Sequence, residues 1–252
     1  MSDGELAGRV ALVTGGSRGI GRACCELIAA AGADVAVNYQ ANESAAAETA
    51  KLVEAAGARA CAVQADVSSA DDVSTMVEEV EQQLGPIDLL VNNAGIFVPA
   101  SHSETTLEIW QRTIDVNLTG AYLVIWAVKQ GMIERRFGRI VNVTSVAALR
   151  ARPISIAYAA SKAGMVGLTK SLSEAIAAEN VRVNAVAPGL IETEILDGVS
   201  QDRLDAIIEA TPIQRIGRPK EIAEMVLFLL SERSSFVTGQ TMVASGGRVL
   251  LP

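Results

Sequence analysis

Arg9-Val10-Ala11-Leu12-Val13-Thr14-Gly15-Gly16-Ser17-Arg18-Gly19-Ile20-Gly21 decides the fold of this chain. The opening RVALVT is a short, nearly continuous apolar run, the pattern of a strand covered on both faces. A glycine-rich turn follows, and Gly19–Ala31 reads as a helix. Glycines at such a turn remove the Cβ and let backbone approach a ligand closely. The helix N-terminus behind them offers free N–H groups and a partial positive charge. A strand, a glycine turn and a helix in that order form a cradle for a pyrophosphate. The spacing here is G-x-x-x-G-x-G, not G-x-G-x-x-G. Two competing motifs overlap the same residues. Gly16–Ala23 approaches a nucleotide P-loop, but Arg22 replaces its lysine and Ala23 its Mg²⁺-binding hydroxyl. Gly15–Gly19 fits the G-x-S-x-G elbow of a hydrolase with Ser17 as nucleophile. Too little chain precedes it for the usual oxyanion loop, and His102 is its only available base.

Working outward, the alternation continues to the end of the chain. Strands are expected at Asp34–Asn38, Arg59–Ala65, Asp88–Asn92, Arg139–Thr144, Val181–Ala187 and Thr241–Ala244. Helices are expected at Ser44–Ala56, Ser69–Leu84, Ala157–Ala178, Gln201–Glu209 and Pro219–Ser231, with one long helical region over Thr106–Arg136. Ser68 or Ser69 would cap the helix that carries Asp71 and Asp72. Such alternation predicts an α/β fold, a doubly wound parallel sheet in a single domain over 1–252. Ligands in such folds sit at the carboxyl ends of the strands.

Composition narrows the chemistry. The chain has 252 residues, one histidine, three cysteines and a formal net charge of −8. An acidic balance argues against a nucleic-acid partner, and one histidine against a His/Cys metal centre; no metal is expected. Cys24, Cys25 and Cys61 form no C-x-x-C pair and read as buried thiols in a reducing, cytoplasmic setting. The N-terminus carries Asp3 and Glu5 and does not read as a signal peptide. No apolar stretch suffices for a membrane span.

The remaining strand ends carry the candidate site. The second strand ends in Asn38-Tyr39-Gln40, where an NAD-selective site usually has an acid for the ribose 2′-hydroxyl. With no acid there, and Arg18 in the glycine turn able to pair with a 2′-phosphate, NADP(H) is the expected cofactor and NAD(H) the second choice. Asp66 ends the third strand, where a carboxylate can accept from an adenine amino group or cap a turn. Asn92-Asn93-Ala94-Gly95 ends the fourth. Tyr158 and Lys162 stand at i and i+4, on one helical face. A lysine ammonium beside a phenol favours phenolate, giving a usable acid or base. Ser145 ends the fifth strand, and its hydroxyl can donate to a carbonyl oxygen.

Together these elements resemble the short-chain dehydrogenase/reductase family from end to end. The shared motifs are TGGSRGIG at Thr14–Gly21, Asp66-Val67, NNAG at Asn92–Gly95, Asn117, Ser145, Tyr158-x-x-x-Lys162 and Pro188-Gly189 with Thr193. Within the family the chain is most similar to 3-oxoacyl-acyl-carrier-protein reductases, through Asn38-Tyr39, Gly138–Ser145, Ala159–Lys170 and Phe236–Met242. The resemblance implies a Rossmann-type fold and hydride transfer between a nicotinamide cofactor and a ketone or secondary alcohol. The implied substrates include 3-oxoacyl thioesters and, alternatively, a small alcohol, sugar or steroid. It implies Tyr158 as the proton donor or acceptor, Lys162 on the nicotinamide ribose, Ser145 on the substrate oxygen and Asn117 in a water relay. Gly15, Ser17, Arg18, Gly19, Ile20, Gly21, Asn38, Tyr39, Asp66, Val67, Asn93, Ala94, Gly95, Pro188, Gly189, Ile191 and Thr193 would surround the cofactor. Residues 190–211 would form a mobile substrate lid, and a homotetramer is the implied assembly. Two departures concern the substrate: Ile96–Ala100 and Val243–Gly247 differ from the continuations usual in acyl-carrier-protein reductases. Arg135, Arg136 and Arg139, with Arg150 and Arg152, are candidates for docking an acidic carrier protein or for an ordinary solvated face. A dinucleotide-binding sensor without catalysis is a further reading.

Overall fold

The computed structural model describes residues 4–194 and 200–250. Seven parallel strands form one sheet in the order β3-β2-β1-β4-β5-β6-β7. They are β1 (Val10–Val13), β2 (Asp34–Tyr39), β3 (Ala60–Gln64), β4 (Leu89–Asn92), β5 (Gly138–Val143), β6 (Val181–Pro188) and β7 (Thr241–Ala244). The helices are α1 (Gly19–Ala30), α2 (Glu43–Ala55), α3 (Ala70–Gln83), α4 (Leu107–Ile114), α5 (Gly120–Glu134), α6 (Ile156–Ile176), α7 (Gln201–Glu209) and α8 (Pro219–Leu230). Successive side chains of a strand point to opposite faces, and here each face has its own core. Ala11, Val13, Leu89 and Val91 pack with α1, α2 and α8. Val10, Leu12 and Leu90 pack with α3, α5 and α6. The near-continuous apolar strands of the sequence are thus explained by two buried faces. Chain order reverses direction between β1 and β4, which puts the switch in strand order beside the glycine turn.

Ser69 caps α3 by accepting from the Asp72 amide at 3.2 Å, so the cap falls on the second of the two serines proposed. Most boundaries move by one or two residues, the ordinary fraying of helix ends. One difference is larger. The single helix expected over Thr106–Arg136 is interrupted by a π-helical turn at Asp115–Thr119. Val67 packs against Gly120 just after it, 2.8 Å from where a Cβ would stand.

The three cysteines are free and buried. Burial pushes the Cys24 and Cys61 thiols up to about 12, so neither is a ready nucleophile. No helix among the described residues is long and apolar enough to cross a membrane.

Arg135, Arg136 and Arg139, the candidates for docking an acidic carrier protein or for a solvated face, lie at the far end of the sheet from Ser145. They flank the start of β5, whereas Ser145 lies beyond its end, about 20 Å away at ~3.3 Å per residue. Arg139 is buried and ion-paired to Glu232. Arg135 pairs with Asp88 and Arg136 with Glu179. Arg139 is thereby held inside the fold, while Arg136 stays exposed, its side chain 66% accessible in the pair with Glu179.

Candidate active site

The glycine turn is fastened to both neighbouring strands. The Thr14 hydroxyl donates to the Val91 carbonyl at 3.3 Å and accepts from the Asn93 and Ala94 amides at 3.0 Å each. Asn93 Nδ2 donates to the carbonyls of Thr14 and Gly15 at 3.0 and 3.1 Å. On the other side, Asn38 Oδ1 accepts from the Gly15 amide at 3.2 Å, and Asn38 Nδ2 donates to the Ala65 carbonyl at 3.2 Å. Asn38 is therefore spent on holding the turn, and Tyr39 lies in the core behind it. Gly21 has no room for a side chain: a Cβ would meet the Gly15 carbonyl oxygen at 2.2 Å. Arg18 caps α1 with no side-chain hydrogen bond, and no acid occupies the first turn. The helix N-terminus is thus left for an external anion.

Two strand ends flank this turn. Asp66 accepts from both the amide and hydroxyl of Ser68, from Gln40 and from Arg112. Burial would raise its pKa, but the Ser68 and Arg112 contacts hold it below the ordinary carboxylate value. Val67 turns its side chain into the core. From the other direction, the chain after β6 crosses over the turn. Thr193 stands 3.2 Å from where a Gly19 Cβ would be, and Glu194 is ion-paired to Arg18. Gly189 packs against the Ser245 backbone, and Ile191 pairs with Gly217. Of the expected lid, residues 195–199 lie outside the described residues; α7 covers Gln201–Glu209 as expected.

Ser145, Tyr158, Lys162 and Asn117 converge at the ends of β4 and β5. A chain of amides ties these strands to α6: Asn92 Nδ2 donates to Asn142 Oδ1 and Asn142 Nδ2 to Thr169 Oγ1, both at 2.9 Å. Ser145 caps a short 3₁₀ turn by accepting from the Ala147 amide at 3.1 Å. Burial raises the Tyr158 phenol pKa, while the Ser145 hydroxyl and the Arg152 guanidinium favour the phenolate. Phe97 meets the Tyr158 ring edge-on, centroids 5.2 Å apart. Lys162 is buried and donates to the Val143 carbonyl at 2.8 Å. Burial pushes its pKa down to about 8, and its ammonium stands 5.8 Å from the Tyr158 ring centre. Arg152 thus joins Lys162 as a cation beside the phenol. Asn117 sits in the π-helical turn, fully buried. Its Oδ1 accepts from the Ile96 amide at 2.8 Å, and its Nδ2 donates to the Ile96 carbonyl and the Ser161 hydroxyl. Asn117 Oδ1 and Lys162 Nζ both border Gly95, at 3.1 and 3.6 Å from its would-be Cβ.

Comparison with known proteins agrees with this geometry. A family model described as enoyl-(acyl carrier protein) reductase matches residues 15–248. A 3-oxoacyl-[acyl-carrier-protein] reductase of Synechocystis sp. is 41% identical, covering 97% of this chain and 98% of the relative. An acetoacetyl-CoA reductase of Rhizobium meliloti is 43% identical, covering 95% and 98%. Among solved structures, a 3-oxoacyl-[acyl-carrier protein] reductase of Brucella melitensis superposes with TM-score 0.92 at 36% identity, covering 98% and 93%. A short-chain dehydrogenase/reductase variant of Serratia marcescens gives 0.91 at 32%, covering 97% and 99%.

The chain belongs to the short-chain dehydrogenase/reductase family.

It is an oxidoreductase that uses a nicotinamide dinucleotide. The residues present fit that group: the uncapped α1 N-terminus and the Cβ-free approach at Gly21 suit a pyrophosphate. The Ser17 hydrolase reading fails on position, since Ser17 is buried in the turn while His102 is exposed in the segment beyond β4. Sequence reasoning missed Phe97, Ser161, Arg112 and Glu194, and gave Arg152 no place beside the phenol. Phe97, Arg112, Arg152 and Glu194 have no spacing signal, because each reaches the site from a different segment; Ser161 stands within the Tyr158–Lys162 motif itself. Asn117 did carry one: an amide in mid-helix is a poor helix former, and π-helical turns gather at functional sites.

Proposed function

We propose that this enzyme reduces the ketone of a 3-oxoacyl thioester with NADPH, using Tyr158 as proton donor. The observation that carries the reading is the convergence of the Tyr158 phenol with Ser145 at the β5 end, beside the glycine turn. The two relatives quoted at 41% and 43% identity are both named for reduction of 3-oxoacyl thioesters.

Bound at the cradle, the nicotinamide supplies the hydride. The chain's own residues do the rest. Ser145 donates to the carbonyl oxygen and holds it toward the phenol. Tyr158 gives that oxygen its proton as negative charge builds. Its raised pKa keeps the phenol protonated at neutral pH, which suits the reductive direction. Lys162 holds ribose hydroxyls, and its bond to the Val143 carbonyl fixes where its ammonium stands. Asn117 fixes the Ile96 backbone beside Gly95 and borders the path of any relay water. Gly15, Ser17, Gly19, Ile20 and Gly21 face the pyrophosphate, Asp66 and Val67 the adenine, and Asn93, Ala94 and Gly95 the neighbouring ribose. Pro188, Gly189, Ile191 and Thr193 face the carboxamide side. The NADP preference rests on Arg18, the one exposed cation of the turn; Arg22 is engaged with the Ser17 carbonyl, Thr49 and Glu48.

Residues 190–211 act as the lid of one catalytic domain. The protein works in the cytoplasm as a homotetramer, and the stacked Tyr122 and Trp126 on α5, both exposed in one protomer, suit a subunit interface. Arg136, exposed at the start of β5, and Arg150 and Arg152 near the site are the cations this reading offers to an acyl carrier protein.

Turnover of acetoacetyl thioesters with NADPH and NADH tests the reading, with Tyr158→Phe alongside. The variant is expected to lose turnover and keep cofactor binding. Retained turnover would refute the role of Tyr158, and preference for NADH would refute that of Arg18.

A further inference from the structure

Nine of the sixteen arginines are ion-paired to carboxylates. Arg150, Arg152, Arg203 and Arg248 are not, among the described residues. These four come from three separate segments, all issuing from the carboxyl ends of adjacent strands. Arg150 and Arg152 lie between β5 and α6, Arg203 opens α7 after β6, and Arg248 follows β7. The segments are held close to the site. Ser155, just before α6, bridges to Ala100 and its amide bonds to the Arg152 carbonyl at 3.1 Å. The Arg248 amide bonds to the Ser245 carbonyl, and Ser245 crosses Gly189.

The Arg152 guanidinium stands within the field of the other three. Burial lowers the Arg152 pKa most, and Arg150, Arg248 and Arg203 lower it further, with Tyr158 opposing. Arg248 is lowered by burial and by Arg150. A net-acidic protein that gathers four cations against mutual repulsion, none of them ion-paired to a carboxylate among the described residues, offers a site to an anion.

The dinucleotide phosphates do not fit that role. The glycine turn follows β1, whereas the strands that carry the cluster, β5, β6 and β7, stand two to four strands away, about 10 to 19 Å at ~4.8 Å per strand. The catalytic phenol, in contrast, lies within the cluster's field.

We propose that Arg150, Arg152 and Arg248, with Arg203 from α7, bind an anionic group, carboxylate or phosphate, carried by the carbonyl substrate itself. This rests on the reading of Tyr158 as the group that faces the carbonyl. Guanidinium forks match both anions bidentately. The site therefore selects a charged oxo compound over a neutral ketone of the same size.

The test compares acetoacetyl-CoA, its neutral N-acetylcysteamine analogue and a small 3-oxo carboxylate, each with wild type, Arg150→Gln and Arg248→Gln. An anionic substrate is expected to exceed the neutral one in kcat/KM by about tenfold or more. That ratio should fall roughly tenfold in each variant, mostly through KM, and should shrink in 0.5 M NaCl. Preference for the small acid would place the anion next to the carbonyl; preference for the CoA ester would assign the carrier's phosphates. A ratio near one in wild type, or one unchanged in both variants, overturns the proposal. So does loss of NADPH binding in the variants, which would give the cluster to the cofactor. If no ketone turns over, the reductase reading fails by itself. The anion site then stands or falls on whether inorganic phosphate or succinate raises the melting temperature of wild type but not of the double variant.

Discussion

Replacing Lys162 by methionine should make the protein more pH-indifferent and no less stable at neutral pH, while removing its activity. Lys162 is 3% exposed, and among the described residues its hydrogen-bond partners are the Val143 carbonyl and the Met165 sulfur. Burial lowers its pKa from 10.5 to about 8. At ~1.36 kcal/mol per unit, that difference costs the charged form about 3 kcal/mol. The sign follows from proton counting. Below pH 8 both folded and unfolded chains hold the proton, and the penalty is fully present. Between about pH 8 and 10.5 the folded protein has released it and the unfolded chain has not, so stability rises with pH. Methionine keeps the volume and removes this step. It also leaves the Val143 carbonyl without a donor, a pH-independent cost of about 1 kcal/mol. The wild-type minus variant stability should therefore climb by up to about 3 kcal/mol from pH 7 to 10. At roughly 2–4 °C per kcal/mol for a protein of this size, melting temperatures would reveal it. The raised thiol pKa values bend both curves equally and cancel in the difference. Thermal and urea unfolding without cofactor, at pH 7, 8, 9 and 10, provide the assay. A flat difference across that range would refute the buried-ammonium argument.

Two further outcomes follow from the cofactor turn. Gly21→Ala places a methyl 2.2 Å from the Gly15 carbonyl oxygen and 2.7 Å from Asn93 Nδ2; the turn must shift, so fluorescence titration should show cofactor affinity falling tenfold or more, with stability down by about 1–3 kcal/mol. Glu194→Gln releases Arg18 from an exposed ion pair. NADPH should then bind roughly two- to fivefold tighter with NADH unchanged, and an equal gain for both cofactors would take the 2′-phosphate away from Arg18.

The legible part of the site was the part written in consecutive residues. The glycine turn sits between one strand and one helix, so its chemistry is readable as a local word. Tyr158 and Lys162 share a helix face by spacing alone. Asn38 was read as a cofactor neighbour, yet its amide is consumed in locking Gly15 to the Ala65 carbonyl. Lys162 is readable from its spacing to Tyr158, but its burial and its bond to the Val143 carbonyl are not. Which partner satisfies a polar group depends on everything that packs around it, and spacing does not record that.

By itself, the sequence determined the parallel sheet, its two covers and the strand ends where ligands gather. Periodicity and glycine placement are properties of short windows, and backbone sterics act within them. Only the tertiary structure decided that Arg139 belongs to Glu232, that Glu194 reaches Arg18 and that Arg150, Arg203 and Arg248 come within the field of Arg152. Electrostatic pairing acts through space between residues far apart in the chain, so the folded arrangement alone assigns each charge its partner.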